Sequence, residues 1–167
     1  LLWVLGWITY FLLCALGFTG YVLPWGQMSF WAAQVIMSLF GSIPYIGEDL
    51  LTWIRGDYLI SGITLNRLFA FHVVLLPLAL IAVVFVHILA LHEVGSNNPD
   101  GVDVKKFKDA DGVPLDTKPF FPYDVMHDLY AIGVFLIFFV AIMFFYPDGG
   151  GYVIEYVNYE AADNLKT

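Results

Sequence analysis

Charged residues are scarce in this sequence and absent from its first 47 positions. They make up 13% of 167 residues, whereas about a quarter of a typical globular domain is charged. Residues 68–92 and 129–147 form two further runs without Asp, Glu, Lys or Arg. Each run is long enough for a helix across a hydrocarbon core of about 30 Å, which takes roughly 20 residues. The pattern predicts an integral membrane protein and excludes an ordinary soluble domain.

Basic residues and cysteine are also rare. Seven Lys and Arg in a chain of net charge −8 cannot form the basic, aromatic-studded face that binds nucleic acid, so no nucleic-acid partner is expected. The single cysteine, Cys14, cannot form an internal disulfide and is interpreted as a small buried apolar residue. No initiator Met and no basic flank precede the first apolar run, so this run is not expected to be a signal peptide. Both ends are expected to be cuts within a longer protein.

The order of apolar and polar stretches predicts an all-α membrane fold. Proline cannot continue a helix, so the first span is expected to stop before Pro24. The next stretch is apolar but interrupted by Gln and Ser, which suits short helices at the membrane surface and not another crossing. The expected fold is a fragment of a transmembrane helical bundle. Its segments are spans at about 1–23, 65–91 and 124–146, an external helical pair at 27–55, a polar loop at 93–123 and a partial tail at 147–167.

The distribution of Lys and Arg predicts the topology. The polar loop holds Lys105, Lys106, Lys108 and Lys118, whereas the segment 24–64 holds only Arg55. Because short cytoplasmic loops carry an excess of Lys and Arg, the polar loop is expected in the cytoplasm and the segment 24–64 outside.

Two histidines, His72 and His87, lie inside the predicted second span. Ionisable residues within a span are costly and usually functional. The 15-residue interval corresponds to about 22 Å along a helix, and the two side chains differ by roughly 60° around its axis. They therefore face broadly the same way, one near each leaflet, as two stacked cofactors require. The alternative is a pair of buried histidines that each hydrogen-bond a neighbouring helix, and Pro77 between them leaves the angle open.

Two glycines in the first span repeat this spacing. Gly6 and Gly20 are 14 residues apart, or about 21 Å along a helix. Glycine allows a flat macrocycle to approach the backbone, although small residues also line many helix–helix contacts in membranes. Because the glycine and histidine intervals match, a two-haem bundle is the better interpretation.

Three motifs carry a family resemblance: Gly-Tyr-Val-Leu-Pro-Trp-Gly-Gln-Met-Ser at 20–29, Ile-Pro-Tyr-Ile-Gly at 43–47 and His-Glu-Val-Gly-Ser-Asn-Asn-Pro at 92–99. In this order and spacing, the chain resembles cytochrome b of the cytochrome bc complex, most closely its proteobacterial members. The resemblance implies a subunit of a ubiquinol–cytochrome c oxidoreductase in the bacterial inner membrane. The implied partners are a Rieske iron–sulfur protein, a cytochrome c-type subunit and a second copy of the complex.

The resemblance also implies two haem b groups as cofactors. His72 would ligate a low-potential haem near the outer face, with Gly20 packed against it. His87 would ligate a high-potential haem near the cytoplasm, with Gly6 packed against it. The opposing two histidines come from a family helix that has no counterpart in these 167 residues. With both axial positions filled by imidazole, the iron is suited to electron transfer and not to oxygen binding.

Two quinone sites follow from the same resemblance, with ubiquinol and ubiquinone as substrates. His92, Ser96 and Asp128 would form the cytoplasmic reduction site, where His92 and Asp128 deliver protons. Taken alone, His92 is typical of an interfacial histidine. The outer, quinol-oxidising pocket would draw on residues that equally suit a packed amphipathic helix: Tyr21, Gly26, Trp31, Ala32, Val35 and Ile36.

Other functions stay open from the residues alone. A haem b anchor of a dehydrogenase or hydrogenase would need the histidines but not the helical pair at 27–55. A cofactor-free membrane scaffold would need neither and would show no haem absorbance. One departure from the family concerns the histidine interval, which is one residue longer than in mitochondrial relatives. The extra residue falls between His72 and Pro77, and photosynthetic relatives share it.

The sequence Trp31-Ala32-Ala33 generates a prediction about inhibitors, since most relatives have glycine after this tryptophan. A methyl group there crowds strobilurin-type inhibitors while the quinol still fits. We expect the intact complex to bind such inhibitors weakly in a titration of quinol oxidation. Tight inhibition would contradict this expectation.

Overall fold

The computed structural model of this chain describes residues 1–96, 98, 100–103, 106–115 and 117–147. Lys105 and most of the expected tail at 147–167 lie outside the described residues. The helical elements are α1 (Leu2–Val22), α2 (Gln27–Gly41), α3 (Gly47–Arg55), α4 (Gly62–Ala70), a π-helical turn (Phe71–Leu75), α5 (Leu76–Val94), a short turn (Phe120–Asp124) and α6 (Val125–Phe145).

Three helical stretches are long and apolar enough to cross a membrane. They are Leu2–Val22, Gly62–Val94 and Phe120–Phe145, with mean hydropathies of 1.8, 2.9 and 2.4. At most 6% of the most apolar window of each is buried within the chain, as expected of helices that are apolar on all sides. Cys14, expected to be buried, lies exposed on this surface. The part of the chain that the structure describes has no β-strand, which confirms an all-α membrane fold with three spans.

The described part of the first unit, residues 1–90, has a small core at one end. There, the helical pair α2–α3 packs against α1 and α4. Because this core joins the end of α1 to the start of α4, it sets the register of these two helices. The buried apolar cluster consists of Val22, Ala33, Met37, Leu51, Ile60 and Leu68.

Buried hydrogen bonds build the connection from α3 to α4. The fully buried hydroxyl of Thr64 donates to the carbonyl of Arg55 at 2.8 Å and accepts from the amide of Ser61 at 3.1 Å. The hydroxyl of Ser61 in turn accepts from the amide of Ile63 at 3.3 Å. This reciprocal capping box satisfies amides that a helix start leaves unpaired. It begins α4 at Gly62, three residues before the expected start of the second span.

Arginine side chains hold the turn that ends α3. Gly56 adopts a left-handed conformation with φ of 76°, which favours glycine. The guanidinium of Arg67 lies against Gly56 and donates to the carbonyl of Trp53. Arg55 is buried and donates to the carbonyl of Tyr58 at 3.2 Å. Both arginines therefore have structural partners within this connection.

The second unit, residues 91–149, is described here by its own contacts as far as residue 147. The carboxylate of Asp109 accepts from the amides of Asp111 and Val113 at 3.0 and 2.8 Å, which organises a turn in the polar loop. Lys118 forms an ion pair of 2.6 Å with Asp124, the residue that precedes α6. An acidic side chain at that position also interacts favourably with the helix dipole.

The buried hydroxyl of Thr64 generates a prediction about stability. Thr64→Val keeps the shape of the side chain but removes a donor and an acceptor, and a buried polar group left unpaired costs about 1–3 kcal/mol. We expect a thermal midpoint lower by several degrees in detergent. Thr52→Val is the control, because the Thr52 hydroxyl makes only an exposed bond to the Glu48 carbonyl. Equal midpoints for the two variants would show that the Thr64 network does not stabilise the fold.

Candidate cofactor and quinone sites

The imidazole of His72 is tied to α1. Its Nδ1 lies 3.1 Å from the carbonyl oxygen of Leu16 and 3.1 Å from Oγ1 of Thr19. A carbonyl oxygen can only accept, so Nδ1 carries the proton and donates it. The other ring nitrogen, Nε2, is left with a free lone pair. Metal-ligating histidines are usually held in this way, since a bond from one ring nitrogen orients the other toward the metal.

The second histidine, His87, lies on the wall of an open apolar cleft of about 680 Å³. Nδ1 of His87 is buried and has no hydrogen-bond partner among the described residues. Because an unpaired buried polar atom costs about 1–3 kcal/mol, this nitrogen requires a partner from beyond these residues. A histidine beside aromatic walls fits a flat, largely apolar porphyrin. The cleft is lined by Leu2, Trp3, Gly6, Trp7, Tyr10 and His87.

Each glycine of the predicted pair faces one of the histidines. A Cβ atom on Gly20 would lie 2.6 Å from Cε1 of His72, and one on Gly6 would lie 3.5 Å from Cε1 of His87. The structure therefore brings together Gly20 with His72 and Gly6 with His87. At Gly20, the missing side chain makes room for the imidazole ring itself. Close approach of this kind is a frequent reason for glycine in a membrane helix.

A π-helical turn affects the angle between the two histidines. His72 lies within the turn Phe71–Leu75, shortly before Pro77. A π turn closes its hydrogen bond over five residues instead of four and so holds one residue more than an α turn. Proline disrupts the turn that precedes it, because it lacks an amide proton and its ring crowds the carbonyl four residues earlier. The span therefore holds one residue more at this turn than a regular α-helix would, and both histidines face α1.

Only one residue of the predicted outer quinol pocket lines the second large apolar cleft, which has a volume of about 700 Å³. That residue is Ile36. Tyr21 and Val35 are exposed, and Gly26 is the residue that caps α2. Trp31 donates from Nε1 to the side chain of Gln27 at 2.9 Å, and Ala32 is partly buried. The cleft is lined by Ala15, Phe18, Thr19, Ile36, Met37, Phe40, Trp53, Ile54, Arg67, Leu68, Phe71 and Leu76.

The predicted cytoplasmic site is not assembled by direct bonds. His92, Ser96 and Asp128 are exposed, and no hydrogen bond or ion pair joins them within the described residues. The neighbouring His127 donates from Nδ1 to the carbonyl of Tyr123 at 2.9 Å. Among the residues that the structure describes, no group of three His, Cys, Asp or Glu could hold a metal ion.

Sequence reasoning missed Leu16 and Thr19, which hold His72. One feature of the sequence indicated Thr19: it directly precedes Gly20, so both residues lie at the same height in the membrane and next to the same part of the neighbouring span. A backbone carbonyl such as that of Leu16 leaves no trace in the sequence.

These features define a multi-pass helical membrane protein whose central span carries two histidines that face glycines on a neighbouring span. A family model described as cytochrome b (N-terminal)/b6/petB matches residues 1–150, and the chain belongs to that family.

Similar proteins are known from several bacteria. Cytochrome b of Allochromatium vinosum is 50% identical over 171 residues, which cover 100% of this chain and 41% of that protein. Cytochrome b of Rickettsia conorii is 45% identical and covers 94% of this chain and 37% of that protein. A chain in a solved structure titled "Hyperthermophilic respiratory Complex III" superposes with a TM-score of 0.74 at 32% identity, over 100% of this chain and 43% of that chain. This chain thus spans about two fifths of the length of these relatives.

The contact between Gly20 and His72 generates a prediction about haem binding. Gly20→Ala would place a methyl group 2.6 Å from the imidazole, too close for the ring to keep its bond to the Leu16 carbonyl. If His72 ligates a haem, we expect most of that haem to be lost from the full-length protein, as measured by the reduced-minus-oxidised absorbance spectrum. Gly6→Ala, with an ordinary 3.5 Å contact, is expected to have a small effect.

Gly17→Ala is the matched control, because no atom lies within 4 Å of the added methyl group. If Gly20→Ala and Gly17→Ala kept the same haem content, the close approach at Gly20 would have no role in binding.

Proposed function

We propose that this chain is the haem-carrying part of the quinol-oxidising subunit of a respiratory bc complex in a bacterial inner membrane. The observation that carries the proposal is the pairing of two histidines on one span with Gly20 and Gly6 on α1, His72 being bonded to the α1 backbone. Membership of the cytochrome b family and the likeness to a chain of a respiratory complex support it. The chain would act within the complete complex and not alone.

His72 and His87 would each hold one haem b through Nε2. In this proposal His72 serves a low-potential haem near the outer face, and His87 a high-potential haem near the cytoplasm. A haem with two imidazole ligands supplies one-electron transfer and has no open position for oxygen. The chain's own contribution would be to hold His72 through the bond from Nδ1 to the Leu16 carbonyl, which leaves Nε2 available as a ligand. Trp3 and Trp7 would exclude water from the wall at His87.

Quinol would be oxidised at the outer end of the bundle. The apolar cleft that Ile36 lines between α1, α2 and α4 suits the ring of a lipid-soluble quinol. Oxidation would release two protons outside and two electrons. One electron would pass to a Rieske iron–sulfur protein and the other inward through the two haem sites. Tyr21, Gly26, Trp31, Ala32 and Val35 stay proposed members of this pocket.

Quinone would be reduced at the cytoplasmic end, where His92, Ser96 and Asp128 would contact its carbonyl groups. Reduction needs protons as well as electrons, and histidine and aspartate side chains can relay protons to a bound quinone. All three side chains are exposed, which would allow a substrate to reach them. Protons taken up here and released outside would contribute to proton translocation.

The helical pair favours a bc complex over a haem b anchor of a dehydrogenase or hydrogenase. An anchor needs the histidines but no helices over the outer end of the bundle. Here α2 and α3 pack on α1 and α4, and Ile36 and Met37 of α2 form part of the wall of the outer cleft. The further proposed partners are a cytochrome c-type subunit and a second copy of the complex.

Replacing the two histidines tests the proposed function. In the full-length protein, His72→Asn and His87→Asn are each expected to remove one of two haem b groups, and the double variant both, because each iron loses an axial ligand. Haem per chain, determined from the pyridine haemochrome spectrum, gives the measurement.

His127→Asn is the control, since His127 is exposed and, among the described residues, its ring contacts the carbonyl of Tyr123 in the turn before α6. It should keep both haems. A colourless wild-type preparation, or single variants that keep two haems, would refute the proposal.

A further inference from the structure

The hydroxyl of Thr19 lies where the proposed haem ligand meets α1. Thr19 is buried, with 6% of its surface exposed. Its Oγ1 lies 2.8 Å from the Ala15 carbonyl, 3.2 Å from the Leu16 carbonyl and 3.1 Å from Nδ1 of His72. One oxygen atom thus connects two backbone carbonyls of α1 with a ring on the neighbouring span.

Proton counting decides the direction of these bonds. A threonine hydroxyl has one proton, and its nearest acceptor is the Ala15 carbonyl. The lone pairs of Oγ1 are then left to accept, and the only donor among its partners is the N–H of His72. Since the same N–H reaches the Leu16 carbonyl at 3.1 Å, it is shared between two acceptors.

The two histidines of the span therefore differ. Nδ1 of His72 has two acceptors, whereas Nδ1 of His87 has none among the described residues. An acceptor on Nδ1–H increases the electron density of an imidazole and makes it a stronger ligand. A stronger donor stabilises the oxidised iron more than the reduced iron, and hydrogen bonding around a ligand is one means by which a protein adjusts a haem potential.

We infer that Thr19 is a positioning residue for His72: it orients the ring and lowers the reduction potential of the haem held there. The inference rests on the proposed function, since it requires a haem at His72. The simpler alternative is that Thr19 only returns its hydroxyl to its own helix, as threonines in membrane helices often do. Thr9 is an example, because its hydroxyl donates to the Leu5 carbonyl of its own helix at 2.9 Å.

Redox titration of the full-length protein, with Thr19→Val, Thr19→Ser and Thr9→Val variants, separates these alternatives. Valine keeps the shape of threonine and removes the acceptor, so the potential of the haem at His72 should rise. We expect the ratio of reduced to oxidised haem at a fixed ambient potential to increase about threefold, or roughly 28 mV at 59 mV per tenfold for one electron. The haem at His87 should not change. Thr19→Ser, which restores the hydroxyl, and Thr9→Val, which removes an equivalent helix bond, should both match the wild type.

Several outcomes would overturn the inference. Both haems could be retained in Thr19→Val with unchanged potentials, both potentials could shift equally, or Thr19→Ser could shift as far as Thr19→Val. If Thr19→Val does not accumulate, Thr19→Ala carries the same expectations. Selective loss of the haem at His72 in Thr19→Val, with its retention in Thr19→Ser, would support the inference. A wild-type protein without haem would instead refute the proposed function.

Discussion

A polar ring inside a lipid-facing span must have a partner for its N–H group, and the structure of this chain depends on how His72 meets that requirement. The partner is the backbone of α1 at Leu16, assisted by Thr19. The bond forms only because Gly20 has no side chain to keep the two spans apart. The same bond defines which ring nitrogen is protonated, so one contact satisfies a buried donor and prepares a ligand at Nε2.

The packing of the α2–α3 pair against the end of α1 and the start of α4 maintains that contact. Val22 ends α1 and Leu68 lies in α4, and both belong to the buried cluster under the α2–α3 pair. This cluster and the Thr64 hydrogen bonds hold the start of α4 in a defined position next to the end of α1. The π turn that follows holds one residue more than an α-helical turn. With this turn in place, His87 lies opposite Gly6 of α1. The helical pair thus supports the positions of the two histidines and also forms a wall of the apolar cleft that Ile36 lines.

Charge-free runs were sufficient to predict an all-α membrane fold with three spans, because water-free surroundings exclude ionised side chains. The matching histidine and glycine intervals indicated these four residues, and the family resemblance paired Gly20 with His72 and Gly6 with His87. The start of α4 at Gly62 was missed, since the Ser61–Thr64 capping box depends on a distant carbonyl at Arg55. The π turn could not be placed from Pro77 alone. Residue type alone also could not show that Ile36 lines the apolar cleft while its predicted neighbours on other faces of α2 do not.

The most direct test of the central claim is an experimental density map of the complete complex in a lipid environment. The account predicts one porphyrin iron within coordination distance of Nε2 of His72 and a second within coordination distance of Nε2 of His87, while Nδ1 of His72 stays in hydrogen-bond contact with the Leu16 carbonyl. A map with no porphyrin at either histidine, or with iron bound through Nδ1 or through other residues, would contradict it.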